Sequence, residues 1–234
     1  AHQMTQLKSM LASMQGLQYA TLGVSLVGLG VTVAGFAYMH KRFKALDGRI
    51  DELTQTIHSG FASQRAADLR GHMSQVHGLV KSAQQAPTLS RPELEYNRVA
   101  EAMSEQAFYF DGELEFYIKS NSKMNAELFW QLAQLFILSN STRIDCRMRG
   151  NELLNAREVA VSVAEDYQRL FDRLTVASFD MGQREAAVLI KTLREIVDAA
   201  LTKPYLIEHL RTRRIHGAEY LTRVESETTH PLLM

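Results

Sequence analysis

Chemistry in this chain would have to come from a few histidines, scattered acids and one cysteine. The sequence holds no G-x-x-x-x-G-K-[ST] loop, no G-x-G-x-x-G after a strand, no H-E-x-x-H and no paired C-x-x-C. His72 and His77 lie five positions apart on a segment of helical periodicity, which sets them on different faces, so they are expected to be solvated histidines rather than a ligand pair. The acidic run Glu101, Glu105, Asp111, Glu113 and Glu115 reads as a solvated face. No cofactor or metal is expected. Cys146, the single cysteine, cannot close an intrachain disulfide, which fits a reducing compartment for the large C-terminal part. One segment has types and spacing that chemistry can use. Arg211-Thr-Arg-Arg-Ile-His216 offers an arginine to hold a phosphate and a histidine to move a proton. The alternative is a basic, exposed helix face made by Arg211, Arg213 and Arg214.

The Arg211–His216 segment resembles the R-x(4–6)-H element of the HEPN superfamily, whose helical domains often dimerise to build a metal-independent ribonuclease site. That resemblance implies a catalytic pair of Arg211 and His216. It covers six residues, and Thr212 stands where active members often carry a polar amide or acid. The same loose spacing recurs at Arg70/His77 and Arg223/His230. The sequence therefore favours a protein that is not an enzyme, with a membrane-anchored HEPN-like ribonuclease, or a simple anchored adaptor, as the alternatives. Lys+Arg and Asp+Glu each total 26, and a net charge of zero argues against a nucleic-acid partner, since phosphate neutralisation normally demands a basic excess.

The elements that would position these residues begin at a membrane. Residues 20–39 carry no charge over 20 positions, about what a hydrocarbon core of roughly 30 Å requires of a helix. The stretch ends in His40-Lys41-Arg42-Phe43-Lys44, while Lys8 is the only basic side chain before it. By the positive-inside rule the chain crosses the cell (inner) membrane once, with its C-terminal domain cytoplasmic. The competing readings are a buried helix of a soluble bundle and a conditionally inserted helix. The basic cluster follows the apolar run, the reverse of a signal peptide.

Alternating spacings of three and four trace a seam through this helix: Thr21, Ser25, Gly28, Thr32 and Gly35, continuing after a one-residue slip as Leu46, Ile50, Leu53 and Ile57. Inside the bilayer it is small and hydroxyl-bearing; beyond it the seam is large and apolar. Each suits helix association in its own solvent, because lipid gives apolar side chains no reason to pair while small residues let backbones approach. A second small stripe, Ala20, Gly23, Gly30, Ala34 and Ala37, lies on another face, as a ring of subunits needs. The expected partners are membrane lipid, further copies of the chain, and a cytoplasmic protein or signal. A narrower version has Thr21, Ser25 and Thr32 line a polar path, making the assembly a pore-forming effector.

Four segments follow: an amphipathic N-terminal arm over 1–19, a transmembrane helix over 20–39, a helical, coiled-coil-like juxtamembrane stalk over 40–85, and a cytoplasmic helical bundle of about five helices over 86–234. The fold class is all-α. Two prolines over 86–92 mark the boundary, with Ser90 and Glu93 spaced as a capping box. Asp111-Gly112 signals a turn, read as helix–turn–helix rather than a hairpin. Apolar stripes follow at Leu128, Leu132, Leu135 and Phe136; at Leu154, Val161, Ala164, Tyr167, Phe171 and Leu174; and at Ala186, Leu189, Leu193, Ile196 and Val197. Lys203-Pro204 is expected to stop the third of these helices and start the last.

Overall fold

The computed structural model describes residues 63–229, and among them the chain is all-helical. Six α-helices follow one another: α1 Ser63–Gln85, α2 Pro92–Ser120, α3 Ala126–Arg149, α4 Leu153–Phe171, α5 Gln183–Thr212 and α6 Gly217–Thr229. Short 3-10 turns stand at Ala86–Thr88 and Val176–Ser178. An isolated bridge ties the turn before α3 to the turn before α5: Met124 N–H donates to the Ser178 carbonyl at 2.9 Å, and Asp180 N–H to the Met124 carbonyl at 2.9 Å. The expected N-terminal arm, the segment read as membrane-spanning, the first part of the segment read as stalk and all nine seam residues from Thr21 to Ile57 lie outside the described residues.

α3 is the axis of the bundle. It packs against α2 and α4, and also against α1 and α6, while α4 and α5 form a second close pair. Its Asn125 cap accepts from Leu128 N–H at 3.0 Å, and Tyr117 from the end of α2 receives Asn125 N–H at 3.0 Å, fixing the turn between the two helices. Phe129, Trp130 and Phe136 are fully buried, and Phe129 meets Phe179 and Phe171 edge-on at 5.0 and 6.4 Å between centroids. Each such side chain contributes about 1.5–3 kcal/mol of burial. Polar residues share this helix's buried surface. Thr142 donates back to the Leu138 carbonyl at 2.8 Å, the Ile137 carbonyl accepts the Tyr167 hydroxyl at 3.5 Å, and the Arg143 guanidinium lies 5.9 Å over the Phe108 ring.

Several local expectations change. α2 runs unbroken through Asp111-Gly112, because Met103, Ala107, Phe110 and Leu114 are buried along one face at helical spacing, and that packing outweighs the turn preference. α2 begins at Pro92 in its first turn, and neither half of the Ser90–Glu93 box caps it. Pro204 stands inside α5 instead of ending a helix: Lys203, Pro204, Ile207 and Leu210 are all buried, and packing carries the helix past the missing N–H. Thr202 adds a hydrogen bond to the Ala199 carbonyl at 2.8 Å in the same turn. Leu154 is 60% exposed; the buried stripe of α4 starts one residue earlier, at Leu153, and continues through Ala156, Ala160 and Val163. α1, from the segment read as stalk, buries Leu69, Met73, Val76 and Val80 in the same core.

Candidate functional site

Two helix ends lie side by side and make the cleft that holds Arg211 and His216. α3 ends on Gly150, after which Asn151 turns left-handed (φ 56°) and Glu152 N–H reaches back to the Arg147 carbonyl at 2.9 Å. α5 ends the same way: Arg214 is left-handed (φ 56°), and Ile215 N–H reaches the Leu210 carbonyl at 2.9 Å. Both are Schellman endings, which satisfy carbonyls that a helix terminus would otherwise leave without partners. Asparagine tolerates the left-handed region; arginine enters it at a cost of about 1 kcal/mol. The Asn151 side-chain oxygen accepts Gly217 N–H at 3.4 Å, joining the two endings. Gly217 sits so close to the Met148 backbone that a Cβ there would lie 2.8 Å from its carbonyl carbon, so only glycine brings α6 this near α3.

The cleft between them encloses about 370 Å³ and is lined by Arg211, Arg214 and His216 together with Asn151, Glu152 and Leu154. Both residues of the R-x4-H element therefore face one space, and Arg214 adds a third cationic-capable group. Arg211 is held by Glu208 in a two-pronged pair at 2.9 and 2.7 Å, and Arg157 approaches the same carboxylate at 3.5 Å. That pairing with Arg211 holds the Glu208 carboxyl below its ordinary range. His216 Nδ1 accepts Ala218 N–H at 3.3 Å and so caps the start of α6, which leaves Nε2 as the nitrogen available to a ligand. A neutral ring bonded in this way presents an N–H donor to the cleft. The arrangement can bind an anion and donate hydrogen bonds to it. It does not present a free base.

Sequence reasoning paired Arg211 with His216 but missed Glu208, Asn151 and Arg214 as parts of the site. The signal for Glu208 was its spacing of three from Arg211 on one helix face. Gly150-Asn151 was a readable helix-stop signal.

The other titratable groups lie elsewhere. His72, expected in solvent, is half-buried: it stacks on Tyr109 at 3.5 Å and bonds the Gln106 side chain at 2.8 Å, in a groove of about 330 Å³ between α1 and α2. Of the acidic run, Glu101 and Glu105 are exposed, whereas Arg169 clamps Asp111 at 2.7 Å and Glu115 at 3.2 Å. Burial nevertheless pushes the Asp111 carboxyl up, against the pull of Arg169. Lys203 and Asp145 form a buried ion pair between α5 and α3 at 3.7 Å. Cys146 is fully buried beside that pair, and its thiol is pushed well above the ordinary range by burial. Among the described residues no cluster of His, Cys, Asp or Glu could hold a metal ion, and no helix is long and apolar enough to cross a membrane. Comparison with protein-family models, with curated proteins and with solved structures gives no match to this chain.

Proposed function

We propose that the chain is a membrane-tethered helical scaffold or effector that self-associates through residues 20–57, its helical domain binding a protein partner or a signal on the cytoplasmic side. The observation that carries this reading is the uncharged stretch 20–39 with its abrupt basic stop. The state of the R-x4-H element is consistent with a binding role, because Arg211 is engaged by Glu208 and His216 caps a helix. Membrane fractionation followed by mass analysis in detergent tests tether and assembly together. Gly28→Cys and Gly35→Cys chains should form crosslinked ladders in membranes, and a chain that stays soluble, or links at neither position, refutes the reading.

A second reading is a membrane-anchored ribonuclease, favoured by one observation: Arg211 and His216 line the same cleft with Arg214. Arg211→Ala and His216→Ala would each lower RNA cleavage about 100-fold or more if the pair is catalytic. Retained cleavage in both variants, or none in the parent chain, removes it.

A further inference from the structure

α2 presents to solvent a stripe that reads alike in both directions. Gly112 is exposed, and a Cβ built there meets nothing. Four residues to either side stand Phe108 and Phe116, 69% and 48% exposed on a helix whose opposite face is fully buried. Seven residues to either side stand Glu105 and Lys119, both exposed and opposite in charge. At about 100° per residue all five fall within roughly 80° of arc, on one face of the helix. The flanking acids are occupied elsewhere: Asp111 and Glu115 turn to Arg169, as described above. Lys119 touches Glu115 at 2.8 Å and keeps other N–H donors free to rotate toward solvent.

A helix docking on this stripe needs a small centre or a gap for each phenylalanine, and opposite charge at each end. The stripe itself supplies both when turned end for end. Laid antiparallel on a second copy with the two Gly112 residues at the crossing, Phe108 meets Phe116 of the copy. Glu105 meets Lys119 of the copy, and both contacts occur twice. We infer that this face of α2 is a two-fold contact between two copies of the chain. It lies in the helical domain and is independent of the seam in residues 20–57.

The complementarity picks out a second copy, because an unrelated helix has no need of a stripe whose two halves match each other in charge and size. A contact along one helix face buries far less than the roughly 1,200–2,000 Å² of a self-standing interface. It is therefore weak between untethered chains and strong where tethering raises the local concentration.

The test uses full-length chain in membranes. Position 112 meets its own counterpart when the two-fold passes beside it, and the native Cys146 is buried and silent. The charge swap below separates antiparallel from parallel pairing, because only the former sets Glu105 against Lys119. Gly112→Cys should form disulfide-linked dimers under copper-phenanthroline about tenfold faster than Lys191→Cys, a control on α5 whose side chain is 78% exposed. Adding Glu105→Lys should slow that linkage roughly three- to tenfold, since two attractive pairs become repulsive. Adding Lys119→Glu as well should restore it to within about twofold, with crosslinking at Gly28→Cys unchanged throughout. Linkage at 112 no faster than at 191, or a double charge swap that fails to restore it, overturns the proposal even if the membrane seam crosslinks normally.

Discussion

Lys203 and Asp145 give the sharpest test of what holds α5 on α3. Both side chains are almost fully buried, at 5% and 1% exposure, and their charged atoms stand 3.7 Å apart. That distance is long for a hydrogen bond, so the attraction is mainly Coulombic. Burial holds the Lys203 ammonium below the ordinary lysine range, and the Asp145 charge only partly offsets it. Desolvation therefore outweighs the pairing for the lysine itself. Lys203→Met keeps the volume but leaves the Asp145 carboxylate buried without that cation, which costs about 3–5 kcal/mol. Against a typical total of about 5–15 kcal/mol, this should lower Tm by roughly 6–20 °C. Asp145→Asn should cost less, because a lysine whose folded-state pKa is already lowered can give up its proton. The double variant should recover most of the loss, giving a coupling of about 2 kcal/mol in urea unfolding. Lys203 binds its proton more weakly folded than unfolded. The wild type should thus gain stability as pH rises from the lowered folded value toward the ordinary lysine value, and below that window the cost is complete. Lys203→Met should lack this rise relative to wild type. A Lys203→Met chain that melts within about 1 °C of wild type, or a coupling below about 0.5 kcal/mol, refutes the reasoning.

Three further outcomes are expected. Gly217→Ala forces a methyl into the Met148 backbone, which cannot move aside as a side chain can, and should cost about 2 kcal/mol or more in chemical unfolding. Arg214→Gly relieves the left-handed arginine and should stabilise by about 0.5–1 kcal/mol; if the cleft binds an anion, titration of inorganic phosphate should weaken in the same variant, separating fold from site. Cys146 should react with a thiol reagent about a thousandfold more slowly in buffer than in urea. Labelling within minutes while the helical signal persists would contradict its burial.

The helical class, and most of the buried positions, were legible because their periodicity is strong. Leu128, Leu132, Leu135 and Phe136, and likewise Ala186 through Val197, are buried where the spacing put them. Errors came where a local signal competed with packing from a partner helix. Asp111-Gly112 has turn chemistry, but Phe110 and Leu114 bind the continuous helix into the core. Lys203-Pro204 looks like a stop, yet both residues are buried and the helix continues. In α4 the stripe was out of phase only at Leu154 and Val161, since the small Ala156 and Ala160 carry little hydropathic weight although they mark the contact; Ala164, Tyr167, Phe171 and Leu174 are buried where the spacing put them. The cleft was half legible. Arg211 and His216 were a sequence pair, but the left-handed endings that juxtapose Asn151 and Arg214 depend on two helices stopping at the same level, which no single segment encodes.

The order of the helices also has a temporal consequence. Nearly every large contact joins neighbours in the chain, α1 with α2, α2 with α3, α3 with α4, and α4 with α5; the main exception is α6, which returns to α3. Loops that close between neighbours lose little entropy, and such topologies fold fast. Helical pairs can therefore form in turn as the chain leaves the ribosome. The last thirteen-residue helix, α6, then docks against a terminus of α3 made long before it. Until α6 docks, the end of α3 around Met148 is uncovered, so the arrival of α6 is the step that closes the cleft.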